Sequence, residues 1–243
     1  MAADVSADLA ETNRRFYDDL WSAARLTPPE RFNTWPLLNH LGESAEHVLE
    51  AGPGLRPRLP LAATVFLESS RPAVARLRRA GARALLGDVQ HLPFPDECFA
   101  MVGAFDIIEH VLDDESVFAE LARVLAPHGS LVFSVPLHSG AWTGFDEMVG
   151  HCRRYDPPAL ERALAKHGLA IAESAVYGMQ PKSRWLLDLG VWMMRTNHAR
   201  AMLWYNRVFM PVSIWLQKPL RFVRGLVDAP DVDEIVAVCR REG

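Results

Sequence analysis

The sequence predicts an α/β fold, in which helices pack on a mostly parallel sheet. Short apolar runs alternate with helical patterns from residue 47 onward, and this alternation is typical of βαβ units. The first apolar run ends in Glu50 and continues into a glycine-rich turn at Gly52 and Gly54. Parallel sheets bind nucleotide-like ligands at such strand ends, and glycine lets a ligand lie against bare backbone. The first strand and its turn therefore predict a ligand site at the carboxyl edge of the sheet.

Seven strands account for the apolar runs, and the seventh is expected to pair with the sixth in the antiparallel direction. An apolar stripe and a cap at Asp113 or Asp114 predict a helix over residues 114–125. A second helix is predicted to start at Asp156, a capping acid followed by a proline, and to stop at Gly168. The strands are predicted near residues 47–51, 64–68, 83–87, 99–105, 130–135, 169–177 and 233–239.

The composition indicates an ordinary globular protein, because 49% of the 243 residues are hydrophobic and 23% are charged. The amino-terminal segment is acidic and lacks an apolar core, so it predicts no secretory signal. No apolar run reaches the roughly 18 residues that a membrane-spanning helix needs. The three cysteines are far apart and lack metal-type spacing. These observations together predict a cytoplasmic protein without a metal site.

The charge is unevenly distributed along the chain. The segment 181–228 carries eight basic residues against Asp188 and Asp228, so its charge is +6 while the rest of the chain carries −10. Segregated charge of this kind predicts a surface that contacts something anionic. The acidic remainder argues against nucleic acid as the partner. The basic residues are Lys182, Arg184, Arg195, Arg200, Arg207, Lys218, Arg221 and Arg224.

Three parts are expected along the chain. Residues 1–45 form an amino-terminal helical lid, residues 46–178 and 231–243 form the sheet domain, and residues 179–230 form a helical cap inserted before the final strand. The insertion holds four of the seven tryptophans. We expect two or three helices there, since structureless loops of this length are uncommon in compact domains.

Five motifs in order resemble those of the class I S-adenosylmethionine-dependent methyltransferases, most closely the branch of ubiquinone and menaquinone biosynthesis enzymes. The similarity covers about residues 45–170. It implies a Rossmann-like, seven-stranded methyltransferase sheet with an antiparallel last strand, and an enzyme of the EC 2.1.1 type that uses S-adenosyl-L-methionine. The motifs are the turn at 50–54, the strand end at Glu68, and the segments 87–96, 105–111 and 121–129.

The resemblance also implies a role for particular residues. Glu68 is expected to accept hydrogen bonds from the ribose diol, because an ionised carboxylate only accepts. Asp88 is expected to accept from the adenine amino group, while Val89 contacts the ring. Glu50 is expected to anchor the ammonium side of the methionine part, and Gly52 and Gly54 to allow its close approach. The full set of implied cofactor contacts is Tyr17, Glu50, Ala51, Gly52, Gly54, Glu68, Ser69, Asp88, Val89 and Phe105.

The sequence departs from the family pattern in the first motif. Arg56 stands where the third glycine is usual, and the spacing from Gly54 to Glu68 is short. Pro60 lacks a donor and restricts Leu59, so a long helix cannot follow the turn. We expect only a short turn there, with Arg56 either solvated or in contact with a carboxylate.

Methyl transfer is an in-line displacement, so the protein mainly supplies proximity and alignment. A general base is needed only if the acceptor is a hydroxyl or an acidic carbon. The candidates for that base are His110, His138, His151 and Tyr155, of which we expect His110, His151 and Tyr155 to be the catalytic residues. Arg153 and Arg154 either hold an anionic substrate or brace the helix that follows. Tyr17 and Trp21 either form a lid over the cofactor or pack in the core.

The acceptor is expected to be a small or lipid-like organic molecule, methylated on oxygen, carbon or nitrogen. The insertion is either a packed cap that shapes an apolar pocket or an amphipathic surface that lies peripherally on an anionic membrane. Two other classes of function stay open. The altered first motif fits a degenerate binding or scaffold protein, and the same cofactor can also serve non-methyl chemistry, such as aminocarboxypropyl transfer or cyclisation.

Overall fold

The structure is a computed structural model that describes residue 13 and residues 16–43, 45–178 and 184–241. Within those ranges, the side chains of residues 184–188, 195, 198 and 199 lie outside the description. The prediction of a basic, aromatic insertion used Lys182, Trp185 and Arg195. Lys182 lies outside the described residues, and so do the side chains of Trp185 and Arg195.

The helices lie on both sides of one sheet. Helix α1 covers residues 16–23, and a short 3-10 turn at Pro29–Arg31 leads into α2. The remaining helices are α2 (Trp35–Glu43), α3 (Arg71–Arg79), α4 (Asp114–Val124), α5 (Gly144–Val149), α6 (Pro157–Ala165), α7 (Arg184–Thr196), α8 (His198–Trp204) and α9 (Met210–Trp215), with a π-helical turn Tyr205–Phe209 joining the last two.

Eight strands form the sheet, in the order β3-β2-β1-β4-β5-β8-β6-β7. The strands β1 to β5 are mutually parallel, and β8 lies between β5 and β6 and is antiparallel to both. The mostly parallel Rossmann-like sheet and its antiparallel last strand are therefore confirmed. The strands are β1 (Val48–Ala51), β2 (Thr64–Glu68), β3 (Arg83–Leu86), β4 (Phe99–Phe105), β5 (Leu125–Pro136), β6 (Leu169–Tyr177), β7 (Val223–Arg224) and β8 (Glu234–Arg241).

The predicted count of seven strands is wrong by one. The extra strand, β7, has two residues and pairs with Glu173 and Ser174 at the edge of β6. Its two residues are exposed and it lies inside the insertion, so no apolar alternation marks it in the sequence.

Burial explains why these segments form strands. All four residues of β1 are buried, and β4, β5 and β8 are almost continuously buried, as expected of central strands covered on both faces. One face packs on α4 and α6 through Phe118, Leu121 and Leu160, and the other packs on α2 through Leu38. The edge strand β3 alternates between exposed and buried residues at its start.

Two helix starts show how the sequence sets the ends of elements. Asp113 is the N-cap of α4 and its side chain accepts from the Ser116 amide, as predicted. Asp156 precedes α6 but makes no capping bond. Its carboxylate instead accepts from the amide and hydroxyl of Ser139, so the predicted side-chain cap is corrected.

The segment after the glycine turn contains no helix, in agreement with the short first motif. Residues 52–63 form turns and extended backbone in which Leu55 and Leu59 are fully buried. Leu55 packs with Leu20, Trp21 and Ala24 of the lid region. The shortened motif therefore holds α1 against the sheet.

No helix in the described part of the chain is long and apolar enough to span a membrane.

Candidate functional site

A cavity of about 890 Å³ opens at the carboxyl ends of β1 to β4. Its wall combines the sheet edge with α1, α5 and the inserted helices α7 to α9. The cavity brings together most of the residues predicted for the cofactor or for catalysis. The predicted residues that line it are Tyr17, Glu50, Gly52, Glu68, Ser69, Asp88, Val89, Phe105, His110 and His151. Ala51, Gly54, His138 and Tyr155 are not among its described lining.

The glycine turn has the backbone conformation that the sequence predicts. Gly52 and Gly54 have φ values of +66° and +55°, in the left-handed region that favours glycine. A Cβ on Gly52 would lie 2.4 Å from the Ile107 side chain, and one on Gly54 would lie 2.1 Å from the Trp21 ring. Another group therefore lies close to the backbone at both glycines. In this structure that group is a side chain of the protein itself.

Glu50 holds the loop that follows the turn. Its carboxylate is buried and accepts from the amides of Arg58 and Leu59 at 2.9–3.0 Å. Burial raises the pKa of Glu50 to about 7, although those hydrogen bonds oppose the shift. Glu50 also lines the cavity, so its predicted contact with the cofactor ammonium stays a prediction alongside this structural role.

Glu68 joins the glycine turn to α3. Its carboxylate accepts from the amides of Gly54 and Ser70, each at 2.7 Å. The side chain is buried, and that burial raises its pKa. Oε1 also accepts from the Ser69 hydroxyl at 3.4 Å. Oε2 has two lone pairs and only the Gly54 amide as a described donor, so it keeps one acceptor position open for a ligand hydroxyl. The predicted ribose contact is compatible with this arrangement.

Asp88 and Val89 form the rim of the cavity beyond β3. Asp88 is exposed, and its Oδ1 accepts from the Gln90 amide at 2.9 Å. This bond aims the carboxylate without burying it. A half-buried Val89 follows it, so an acceptor and an apolar surface lie side by side, as an adenine ring requires.

Helix α1, which belongs to the predicted lid, borders one side of the cavity through aromatic contacts. The Tyr17 and Trp21 rings stack with centroids 6.1 Å apart. The Arg56 guanidinium lies 5.1 Å from the Trp21 ring and 5.3 Å from the Tyr205 ring, and it donates to Asn206 at 3.0 Å. Arg56 is thus half-buried, and it has no carboxylate partner among the residues that the structure describes, which corrects both expectations. It joins the glycine loop to the lid and to the inserted helices.

Two histidines lie at the inner end of the cavity. His110 Nδ1 faces the Gly150 carbonyl at 3.3 Å, and since a carbonyl only accepts, that nitrogen carries the proton. His110 Nε2 therefore accepts from the Tyr17 hydroxyl at 2.8 Å. Burial and the neighbouring His151 lower the pKa of His110 to about 3, so this ring is neutral.

His151 has a different set of partners. Its Nδ1 lies 2.8 Å from Asp146 Oδ1, and its Nε2 lies 3.9 Å from Glu109 Oε1. Asp146 is fully buried and also accepts from Arg154 and from the Thr143 amide, which hold its pKa below the ordinary range despite its burial. The carboxylate accepts from the Nδ1–H group and so orients the ring, and His151 lines the cavity. The role of His151 as a general base stays a prediction.

Tyr155, Arg153 and His138 have structural roles. The Tyr155 hydroxyl donates to Asp114 at 2.7 Å and its ring packs on Phe118, so its place in the catalytic set is corrected. Arg153 also pairs with Asp114, and His138 contacts the Ala229 carbonyl at 3.0 Å. None of these three lines the described cavity. Arg153 and Arg154 make no described contact with the start of α6, which the second of the two readings expects; Arg153 pairs with Asp114 of α4, and Arg154 pairs with Asp146 of α5 and with Asp233.

The prediction missed several acidic residues at the inner end. Asp106, Glu109 and Glu234 line the cavity, and a hydrogen bond joins Asp106 to Glu234. Burial and the charge of Asp106 raise the pKa of both glutamates. Glu109 could have been found from its position beside His110 after β4. No sequence signal brings Glu234, on the last strand, to the same cavity.

The residues present fit S-adenosylmethionine. Its amino-acid, ribose and adenine parts need a close backbone approach, buried acceptors and an acceptor beside an apolar surface, and these occur in order along β1, β2 and β3. Gly52, Glu68 and Asp88 with Val89 would hold those three parts. The cavity volume also lies toward the upper end of the range for small-molecule sites, about 300–1,000 Å³.

Comparison with known proteins agrees with this site. Residues 50–133 match a family model described as a methyltransferase domain. A search of curated protein sequences finds no match to this chain.

Solved structures share the fold at low sequence identity. A Thermotoga maritima SAM-dependent methyltransferase, described as a possible histamine N-methyltransferase, is 16% identical, with a TM-score of 0.59 over 100% of this chain and 96% of its own. The [4+2]-cyclase SpnF is 19% identical, with a TM-score of 0.56 over 85% of this chain and 80% of its own. A Haemonchus contortus phosphoethanolamine N-methyltransferase, solved with S-adenosylhomocysteine, is 16% identical, with a TM-score of 0.54 over 82% of this chain and 49% of its own.

The matched domain and the shared fold support the resemblance to class I methyltransferases. They do not support the assignment to the ubiquinone and menaquinone branch. Residues 50–133 match a methyltransferase domain, and the chain has the Rossmann-like fold of solved methyltransferases.

Proposed function

We propose that this protein transfers the methyl group of S-adenosylmethionine to a small organic acceptor with an apolar body. One observation carries the proposal. A single cavity joins the motif residues of the sheet edge to an apolar wall under the inserted helices. The apolar wall includes Phe145, Met148, Leu189, Val191, Met194, Trp204 and Phe209.

The cofactor, when bound, supplies an electrophilic methyl carbon on a positively charged sulfur. The chain's residues then have three tasks. Gly52, Glu68 and Asp88 bind and orient the cofactor, and the lid around Tyr17 excludes water. His151, oriented by Asp146, accepts a proton from an acceptor that must lose one.

Calorimetric titration of S-adenosylmethionine into the wild type and Asp88→Ala protein tests the cofactor part. We expect micromolar binding to the wild type and at least a tenfold weaker Kd in the variant. Asp88 is exposed and makes one local hydrogen bond, so the variant should fold normally. Glu161→Gln, on the exposed face of α6, is the control and should bind as the wild type does. No binding to the wild type would reject the proposal.

Two other functions remain as alternatives. A degenerate scaffold is disfavoured because Glu68 and Asp88 both border an open cavity of cofactor size. Non-methyl chemistry with the same cofactor is a sharper rival, since the cyclase SpnF shares the fold. The product decides between the enzymes. Methyl transfer releases S-adenosylhomocysteine, whereas aminocarboxypropyl transfer and intramolecular cyclisation of the cofactor's aminocarboxypropyl group both release methylthioadenosine.

We also propose that the inserted helices contact an anionic membrane from the outside. Trp215 is 79% exposed and Leu216 is 61% exposed, and Val208 and Val212 lie on the preceding turns with about half of their surface exposed. Exposed basic residues lie beside them at Arg207, Lys218 and Arg221. Apolar side chains flanked by basic ones bind anionic lipid surfaces.

Co-sedimentation with vesicles tests the membrane contact. Vesicles that contain phosphatidylserine should bind the protein and pure phosphatidylcholine vesicles should not. Trp215→Ser should weaken the binding several-fold, while Trp142→Ser, a half-exposed tryptophan outside the insertion, should leave it unchanged. Equal binding to both kinds of vesicle would exclude the charge-dependent contact.

A further inference from the structure

The inner end of the cavity contains a buried acceptor that no described group of the protein satisfies. Glu109 is 1% exposed, and its Oε2 has no hydrogen-bond partner among the described residues. A buried carboxylate oxygen without a donor is costly, so such an atom points to a ligand that supplies one. Glu109 lines the cavity beside His151, whose Nε2 is also an acceptor.

Acidic residues outnumber basic ones along the described wall of the cavity. Eight carboxylates line the described cavity, against the two guanidinium groups of Arg56 and Arg58. Arg56 stacks on the lid aromatics, and Arg58 donates to Tyr177, so neither guanidinium pairs with Glu109. The carboxylates are those of Asp18, Glu50, Glu68, Asp88, Asp106, Glu109, Asp113 and Glu234.

We propose that the inner end of the cavity binds the ammonium group of a primary or secondary amine, with Glu109 and His151 as its hydrogen-bond acceptors. This deepens the proposed function, on which it rests, by naming an amine with an apolar body as the methyl acceptor. An ammonium carries a positive charge, which complements the excess of acidic residues along the cavity. It also has at least two N–H donors for the two acceptors. An alcohol has one donor and no charge.

The spacing of the acceptors fits an amine nitrogen. Glu109 Oε1 and His151 Nε2 are 3.9 Å apart, and the unpartnered Oε2 belongs to the same carboxylate as Oε1. A nitrogen at about 2.9 Å from His151 Nε2 and from this carboxylate, the usual length of such a hydrogen bond, can direct one N–H group to each. The apolar wall of Phe145, Met148 and Val149 borders the same space and would hold the organic part of the molecule.

A metal ion fits the same atoms less well. Glu109, His110 and His151 offer ligand atoms within 4.8 Å of one another. However, His110 Nε2 already accepts from Tyr17 and its Nδ1 is bonded to Gly150, so two ligands remain where zinc takes at least three from protein. Zinc bonds of about 2.1 Å also bring neighbouring ligand atoms to roughly 3.4 Å, closer than the 3.9 Å seen here.

The chemistry follows from these partners. The ammonium loses one proton to His151 Nε2, while Asp146 holds the ring by its Nδ1–H group. The freed nitrogen lone pair forms the new N–C bond as the C–S bond of the cofactor breaks, and sulfur keeps the bonding pair. The products are the methylated ammonium and S-adenosylhomocysteine, and His151 then releases its proton to solvent.

Calorimetry with matched small molecules tests the inference without turnover. Phenethylamine and octylamine are titrated into the protein, each beside its alcohol (phenethyl alcohol and octanol), with and without saturating S-adenosylhomocysteine. We expect each amine to bind at least tenfold more tightly than its alcohol. Glu109→Gln should remove that preference, because the amide carries no charge. Glu161→Gln, the same change on an exposed helix face, should keep it.

The possible outcomes distinguish a failure of the amine inference from a failure of the proposed methyltransferase function. Glu109→Gln should bind S-adenosylhomocysteine as the wild type does, which also reports that it folds. Normal S-adenosylhomocysteine binding with no preference for amines would overturn the inference alone. An absence of S-adenosylhomocysteine binding to the wild type would reject the proposed function instead. Zinc, magnesium or manganese binding that depends on Glu109 would replace the amine by a metal.

Discussion

The two ends of the cavity use buried carboxylates in opposite ways. At the cofactor end, Glu50 and Glu68 are buried, and backbone amides donate to both of their oxygens. At the inner end, Glu109 is equally buried, but its Oε2 has no described partner. Burial raises the pKa of all three. The comparison teaches that the carboxylates at the cofactor end already receive donors from the protein backbone, whereas Glu109 keeps one oxygen for a donor that the described residues do not supply.

The largest expected effect comes from the buried pair that supports the inner end. Asp146→Asn leaves the Arg154 guanidinium with Asp233 as its remaining described acidic partner and removes the charge that His151 Nδ1 contacts. Loss of one partner of a buried ion pair costs about 3–5 kcal/mol, and we expect the lower end because Asp233 remains. Chemical denaturation measures the loss. A cost below about 1 kcal/mol would mean that Asp146 does not carry the charge assigned to it.

Glu50 supplies a pH dependence at the cofactor end. Its folded pKa of about 7 lies above the ordinary 4.5, so the folded state favours the protonated form. The stabilisation is therefore full below pH 4.5 and is lost as the pH rises to 7. For this shift the free energy of unfolding should fall by about 2 kcal/mol between roughly pH 5 and pH 7 from Glu50 alone.

Glu50→Gln isolates that contribution, because Glu68, Glu109 and Glu234 change stability in the same direction. Denaturation curves at several pH values should show a shallower fall in the variant than in the wild type. The Glu161→Gln control should keep the full slope. An unchanged slope in Glu50→Gln would show that this carboxylate ionises normally in the fold.

The glycine turn gives a smaller, well-controlled effect. Gly54 and Gly168 both have positive φ, but a Cβ on Gly54 would meet the Trp21 ring at 2.1 Å, while one on Gly168 meets nothing within 4 Å. Alanine should cost about 1 kcal/mol at Gly168 for the backbone alone. At Gly54 we expect about 1–2 kcal/mol more, since overpacking adds a term of that order. Equal losses in thermal denaturation would mean that Trp21 does not pack on the turn.

The sequence predicted the sheet well because its information is local. The apolar runs locate β1, β2, β4 and β6 to within a residue, and Pro60 correctly excludes a long helix after the turn. The two-residue strand β7 was missed since it pairs only through tertiary contact with β6. The predicted side-chain cap at Asp156 is wrong for a similar reason, because the Asp156 carboxylate accepts from Ser139 of a distant loop.

The cofactor end was predicted better than the inner end. Glu50 and Glu68 lie at the carboxyl ends of strands that the sequence locates, and Asp88 follows such a strand, so their common edge can be deduced. Glu109 is identified as a ligand candidate because its Oε2 has no described hydrogen-bond partner, and only the packed structure shows this. The hydrogen bond between Asp146 and His151 joins residues five positions apart across a helix end, and no periodic pattern in the sequence predicts it.

Calorimetric titration of S-adenosylhomocysteine into the wild type, Asp88→Ala and Glu109→Gln tests the separation of the two ends most directly. We predict that Asp88→Ala weakens the Kd at least tenfold and that Glu109→Gln changes it less than twofold. That pattern would establish a cofactor end and a distinct acceptor end. Equal weakening by both variants would contradict the account, because Glu109 would then belong to the cofactor site.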